Sequence, residues 1–217
     1  FIMALIHELL NAGQIDLNYL TRYTNAGFLV NCAEAGPNKG LFLRDDNGKA
    51  QVIDRVTGKL SDYDAKGVQP KLTGHHRHAG ETYRPAFELL AEQYMSKDYA
   101  PDAVAERCGI PASRIKALAA DLARVAFEEE IVIDQPWTDW KGEKHAQMIG
   151  RPVSFHAMRG ISAHSNGFQT CRALHMLQIL VGSIDCPGGF RFKPPYPRPV
   201  AGQPRPHGGA CADTALA

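Results

Sequence analysis

The stretch PASRIKALAADLARVAFEEEIVIDQPW, residues 111–137, decides the fold class. Pro111 opens it well, because a proline's missing N–H finds no partner in a first helical turn anyway. Ile115, Leu118, Leu122 and Val125 follow at helical spacing, with Arg114, Lys116, Asp121 and Arg124 elsewhere on the wheel. The period then changes. Ile131, Val132 and Ile133 form a short β-branched run of the length and composition of a buried strand.

Downstream, Val153-Ser154-Phe155-His156-Ala157-Met158 predicts a second strand. It runs into Arg159-Gly160 and a polar turn, then a long helix carrying Ala173, Leu174, Leu177, Leu180 and Val181. Helix, strand, loop, strand, loop and helix in this order predict an α/β fold with a mostly parallel sheet flanked by helices. Upstream, Ile2, Leu5, Ile6, Leu9 and Leu10 predict a helix ending near Asn11, with Gly13 beyond it. Asp16 is placed to cap a second short helix through Tyr23. Leu41-Phe42-Leu43 and Gln51-Val52-Ile53 flank Asp46-Asn47-Gly48, a hairpin signal because Asn-Gly accepts positive φ. Residues 57–84 are polar and turn-rich; Pro85 to Met95 and Pro101 to Arg107 again predict helices. The expected division is a helical start over 1–39, a surface excursion with a hairpin over 40–84, an α/β cofactor-binding segment over 85–192, and a Pro/Gly-rich tail over 193–217.

With 24 basic and 23 acidic side chains well mixed along the chain, the net charge is +1. A nucleic-acid binder would show a basic stripe instead. No apolar run reaches the roughly 18–20 residues that a direct membrane insertion needs. Cys32, Cys108, Cys171, Cys186 and Cys211 are scattered without a C-x-x-C pair, which favours reduced thiols over a disulfide framework or structural zinc. The chain opens inside an apolar helical pattern and closes on Pro- and Gly-rich sequence, so the expectation is a segment of something longer.

In α/β sheets ligands gather where strands end and the following helices begin. That rule singles out two loops. In Arg159-Gly160-Ile161-Ser162-Ala163-His164-Ser165-Asn166-Gly167 the small residues allow close backbone approach, and unpaired N–H groups at the helix start can hold phosphate or heterocycle oxygens beside Ser165 and Asn166. Arg159 suits an anion, and His164 suits hydrogen bonding or proton donation. The same composition also serves as an N-capped helix start whose histidine packs locally. The second loop, Asp134-Gln135-Pro136-Trp137-Thr138-Asp139-Trp140, either lines a pocket or anchors itself through its two indoles. Ile184-Asp185-Cys186-Pro187-Gly188-Gly189 forces a sharp structural exit from the long helix. His75, His76 and His78 lack a carboxylate or thiol at ligand spacing and read as a solvated loop. No G-x-G-x-x-G, G-x-S-x-G or Walker motif occurs.

Three stretches carry a family resemblance. Asp16-Leu17-Asn18-Tyr19-Leu20-Thr21-Arg22-Tyr23-Thr24 is similar to a "D-x-x-F/Y-hydrophobic…T" segment. Tyr99-Ala100-Pro101-Asp102 through Cys108-Gly109-Ile110-Pro111-Ala112, with Ile115 to Ala119, is similar to "Y-x-P-E…T-G-V-P-A…I…L-A". Gly160 to Gly167, Arg172-Ala173 and Leu180 to Gly189 are similar to "G…H-x-N-G…R-A…L-x-G-N-I-x-x-P-G-G". Each is short, but their order over most of the chain resembles the molybdopterin oxidoreductases of the dimethyl sulfoxide reductase superfamily. The Pro136 to Trp140 loop, Gly150-Arg151-Pro152-Val153, Met158 to Gly167 and Phe190 to Pro195 look most like catalytic subunits of the sulfite dehydrogenase (quinone) type. Catalytic subunits of tetrathionate, thiosulfate and polysulfide reductases are near relatives.

The resemblance implies a Rossmann-like piece of a large subunit that binds molybdenum bis(molybdopterin guanine dinucleotide). A 4Fe-4S cluster and the metal ligand would lie elsewhere in the subunit, so no metal ligand is expected here. Gly160, Ser162, His164, Ser165, Asn166 and Gly167 would bind cofactor, while Arg159, His164 and Trp137 would face a small anionic substrate. Implied partners are an iron–sulfur electron-transfer subunit and a membrane anchor subunit. The implied location is the cytoplasm or the cytoplasmic face of the membrane. The rival reading is a non-catalytic α/β binding module.

Overall fold

The computed structural model describes residues 1–140, 142–157 and 159–190. The chain opens with α1 (Ile2–Asn11) and α2 (Leu17–Tyr23), followed by β1 (Leu29–Asn31), β2 (Gln51–Ile53), β3 (Leu60–Asp62), β4 (His76–His78) and β5 (Glu81–Pro85). Next come α3 (Ala86–Tyr94), a 3-10 turn (Lys97–Tyr99), α4 (Pro101–Cys108) and α5 (Ala112–Glu128). Then follow β6 (Ile131–Ile133), β7 (Trp137–Thr138), β8 (Lys144–His145), β9 (Met148–Gly150), a second 3-10 turn (Arg159–Ser162) and α6 (Gly167–Leu180). The mixture of helices and strands fits the expected α/β class.

The helices form where the local chemistry favours them. Asp16 Oδ1 accepts the Tyr19 amide at 2.8 Å and so caps α2. Gly13 leaves α1 at φ +66° and Gly109 leaves α4 at φ +66°, a region that costs glycine little. The main core joins α1 to α3, α4, α5 and α6; Leu5, Ile6, Leu9, Ile115, Leu177 and Leu180 lie at its centre. On α5 the buried stripe is Ile115, Ala119, Ala123 and Ala126, rotated from the expected leucine face; Leu118 stays 39% exposed. The alanines let α1 approach closely, while Leu122 and Val125 pack at the flanks.

The sheets depart from expectation in direction. All ladders among the described residues are antiparallel: β1–β5–β4 in three strands, and the pairs β2–β3, β6–β9 and β7–β8. Short connections explain β2–β3, β4–β5 and β7–β8, since a parallel neighbour needs a crossover of a dozen or more residues; β1–β5 and β6–β9 pair antiparallel across longer connections. Residues 151–157 are irregular rather than a strand, and Met158 lies outside the described residues. Pro152 supplies no ladder N–H at their start, and the Val153 amide turns back to the Arg151 carbonyl at 2.7 Å. Nor is β6 buried: Ile131, Val132 and Ile133 are 37%, 50% and 39% exposed.

The Asp45–Lys49 turn forms as expected, with Gly48 at φ +80° and the Asp45 amide bonded to the Lys49 carbonyl at 2.9 Å. Its returning strand, β2, finds its ladder in β3 rather than in residues 41–43, which make only bridges and single bonds. Leu29, Leu43, Ile53 and Tyr83 enclose a second small core with Leu60. His76 and His78 stand on β4. The tail 193–217, including Cys211, lies outside the described residues.

Candidate functional site

The 159–167 loop is a tight fold-back over the start of α6. Ser162 Oγ donates to the Arg159 carbonyl at 2.9 Å, the Ala163 amide to the Gly160 carbonyl at 3.2 Å, and the Gly167 amide to the His164 carbonyl at 2.9 Å. A Cβ on Gly167 would lie 2.1 Å from the Ser162 backbone oxygen, so glycine is what lets the loop close onto the helix. Around Gly160 there is open space instead.

This loop presents a free donor surface. Arg159, Gly160, Ser162, His164, Ser165 and Asn166 are exposed, and Gly167 is buried beneath them. Asn166 stands at the N-cap without a side-chain capping bond. Among the described residues, the side chains of Arg159, His164, Ser165 and Asn166 engage no hydrogen bond or ion pair, and the Phe168 and Gln169 amides find no carbonyl. Unsatisfied N–H groups at the start of a 14-residue helix carry partial positive charge, and Arg159 adds a full one. Such an arrangement can bind an anion.

Trp137 stands apart from that loop. On β7 its ring stacks on His145 with centroids 4.5 Å apart, and its Nε1 donates to the Gln147 carbonyl at 2.9 Å. No hydrogen bond or ring contact among the described residues joins it to residues 159–167. Trp140 donates through Nε1 to the Arg22 carbonyl at 3.1 Å and stacks near Tyr63. Both indoles therefore anchor the β7–β8 hairpin.

Asp139 is the centre of that anchor, and its importance is not visible in the sequence. Its carboxylate accepts Arg22 Nε at 2.5 Å, His145 Nε2 at 3.0 Å and the Glu143 amide at 3.0 Å, while Arg22 also pairs with Glu143. Burial pushes the Asp139 carboxyl up, but the His145 and Arg22 bonds prevail and hold it well below the usual carboxylate range. Burial likewise opposes the Arg22 charge, and the Glu143 and Asp139 bonds outweigh it and raise its pKa. Beside this cluster a cleft of about 380 Å³ is walled by Tyr23, Phe28, Tyr63 and Trp140. Arg22, the one guanidinium among the described residues that line it, is already bonded to two carboxylates.

A second node lies under the Ile184–Gly189 loop. Arg151 donates to Asp16 Oδ2 at 3.2 Å, Glu130 Oε2 at 2.7 Å and the Ala126 carbonyl at 3.1 Å, and its guanidinium lies 5.1 Å from the Phe127 centroid. The Arg151 amide bonds Cys186 Sγ at 3.3 Å. Burial raises the Cys186 thiol, keeping it from thiolate chemistry. A Cβ on Gly150 would meet the Pro187 oxygen at 2.2 Å, and one on Gly189 the Ser183 oxygen at 2.0 Å. The loop is a packed structural corner, as its Pro-Gly-Gly composition suggests. Sequence separations of 117 residues for Arg22–Asp139 and 135 for Asp16–Arg151 explain why neither node is legible in the chain's residue order.

No protein-family model matches the chain. Over 219 aligned residues the chain is 39% identical to a sulfite dehydrogenase subunit of Allochromatium vinosum, a match covering 95% of this chain. The chain spans 22% of the length of that subunit. Over its own extent it is therefore related in sequence to a sulfite dehydrogenase subunit.

Proposed function

We propose that this chain is part of the catalytic subunit of a molybdenum bis(molybdopterin guanine dinucleotide) oxidoreductase that oxidises sulfite or acts on a related sulfur oxyanion. The observation that carries the reading is the 39% identity, across 95% of the chain, to a subunit named for sulfite dehydrogenation. The described residues suit one portion of such a cofactor. The open space at Gly160, the uncommitted Ser165 and Asn166 side chains and the free amides at the start of α6 match the oxygens of a phosphate-bearing group. In this reading the segment contributes cofactor-binding walls and the metal ligand comes from elsewhere in the subunit.

When bound, the group would supply two-electron oxygen-atom transfer, in which sulfite and water give sulfate, two protons and two electrons. The acceptors proposed for those electrons, a 4Fe-4S cluster elsewhere in the subunit, an iron–sulfur partner and a quinone-linked membrane anchor at the cytoplasm or its membrane face, would lie outside this chain. The chain's own residues bind and orient. Gly167 sets the loop on the helix, and Gly160, Ser162, Ser165 and Asn166 hold the cofactor's polar edge. His164 donates a hydrogen bond there or a proton nearby, its exposed ring being free to do either. Arg159 attracts the substrate anion, while Trp137, stacked on His145 in the β7–β8 hairpin, stands apart from this loop.

The test is the molybdenum content and acid-released guanine nucleotide of the full-length protein, made with intact cofactor biosynthesis. Metal together with nucleotide supports the assignment; the absence of both overturns it. In that protein Arg159→Ala should raise the KM for sulfite about 10-fold with kcat nearly unchanged, the loss of a charged contact made in ground and transition states alike. An unchanged KM removes Arg159 from the site.

A further inference from the structure

We propose that Asn47 is a site of spontaneous modification, converting to aspartate and isoaspartate, and that the backbone at α6 protects Asn166 from the same reaction. Asn-Gly occurs twice in the chain, at Asn47-Gly48 and at Asn166-Gly167. Glycine favours this chemistry because the missing side chain leaves its amide unshielded and its backbone free to turn. The deprotonated Gly48 nitrogen attacks Asn47 Cγ, the Cγ–Nδ2 bond breaks, and ammonia leaves. Water then opens the succinimide at either carbonyl, giving aspartate or isoaspartate. The net change is amide and water to acid and ammonia, with no oxidation. To bring the glycine nitrogen onto Cγ, the asparagine must rotate about ψ. What that rotation disturbs separates the two sites.

Asn47 and Gly48 are exposed in the Asp45–Lys49 turn. The Gly48 amide donates to the Asp45 carbonyl at 3.0 Å, and Arg44 Nη1 donates to the Gly48 carbonyl at 2.7 Å in an exposed contact. Among the described residues the Asn47 carbonyl accepts no hydrogen bond, and a Cβ on Gly48 would meet nothing within 4 Å. The swing therefore breaks few bonds and moves into open space. Asn166 is exposed too, but its backbone is committed. Its carbonyl accepts the Thr170 amide at 3.0 Å and the Thr170 hydroxyl at 3.1 Å. Gly167 is buried, its amide bonded to the His164 carbonyl at 2.9 Å, and a Cβ there would lie 2.1 Å from the Ser162 oxygen. Rotation at Asn166 would drag the first turn of a 14-residue helix against Ser162.

The contrast has consequences for each place. An isoaspartate at 47 adds a backbone carbon and breaks the Asp45–Lys49 register, while β2 keeps its ladder with β3. A carboxylate at 166 would compete for the free amides at the start of α6, the donors that the proposed cofactor oxygens need.

The experiment incubates the full-length protein in mildly alkaline buffer, with and without releasable guanine nucleotide. Peptide mapping then resolves asparagine, aspartate and isoaspartate at both positions. Asn47 should convert at least ~10-fold faster than Asn166 in the folded protein, because its local opening is the easier one. In strong urea the two rates should come within ~3-fold of each other, since only residual structure then differs. Asn47→Ser should remove the mass gain and the ammonia release from that peptide. An Asn47 that stays intact, or an Asn166 that converts as fast, overturns the proposal. A gap that persists in urea, or that appears only when nucleotide is bound, overturns the α6 backbone as the cause of protection.

Discussion

A Cβ on Gly167 would stand 2.1 Å from a backbone oxygen, whereas one on Gly160 would meet nothing within 4 Å. Two glycines of one loop thus have opposite duties. Gly167→Ala should destabilise the protein by about 1–3 kcal/mol, because Ser162 must move with its backbone. Gly160→Ala should change stability by less than ~0.5 kcal/mol, and should lower nucleotide content only if Gly160 lies against a cofactor. Thermal melts and nucleotide release separate the two effects. Asp54 makes a pH prediction at the same scale. The Thr57 hydroxyl and the Gln69 amide, bonded at 2.7 and 3.1 Å, pull its carboxyl down to about 2 from the ordinary 3.8. Between these values the unfolded chain binds the proton more readily, so Asp54 contributes stability above about pH 4 that is lost as pH falls toward 2. Asp54→Asn should flatten that part of a stability–pH curve; an unchanged slope would remove Asp54 as its cause.

Helix α2 is held at its start by one side chain with two tasks. Asp16 caps the helix through Oδ1 and pairs with Arg151 through Oδ2. Asp16→Ala should cost about 2 kcal/mol, more than the ~1 kcal/mol of a cap alone, because Arg151 also loses a partner. Asp16→Asn should recover the capping share, and urea denaturation of the pair measures the difference. The β7–β8 hairpin depends in the same way on Asp139. Both tryptophans of these 217 residues, Trp137 and Trp140, belong to this hairpin and its turn, so their emission reports on it. Asp139→Asn should red-shift the emission and increase iodide quenching while helical circular dichroism stays constant. Unaltered emission would show that stacking and the Trp140–Arg22 bond hold the hairpin unaided.

At the scale of the whole molecule, α1 is the hub. Its Leu9 is fully buried among helices that come from the middle and the far end of the described chain. Leu9→Ala should cost about 2–5 kcal/mol in a cooperative melt. Val56→Ala in the excursion should stay within ~0.5 kcal/mol. The small core of Leu29, Leu43, Ile53 and Tyr83 is separate, which makes residues 40–84 the part expected to exchange its amides first.

Much of this architecture is legible in the residue order alone. Apolar spacing at 3.6 residues, with Asp16, Pro101, Pro111, Gly13 and Gly109, locates the helices, because helix formation and capping depend on neighbours only a few positions away. The same local logic identifies the Asp45–Lys49 turn and the loop at the start of α6. Strand direction is not legible. Ile131-Val132-Ile133 has the composition of a buried parallel strand, yet pairing is set by whichever segment returns, and here β9 returns antiparallel. The α5 stripe moves from leucines to alanines because α1 packs more closely there, a choice made by the partner helix and not by α5. Local composition thus sets where elements start and stop and which loop carries free donors. Tertiary packing alone assigns Arg22 to Asp139 and Arg151 to Asp16, since ion pairs between residues more than a hundred positions apart leave no periodicity to read.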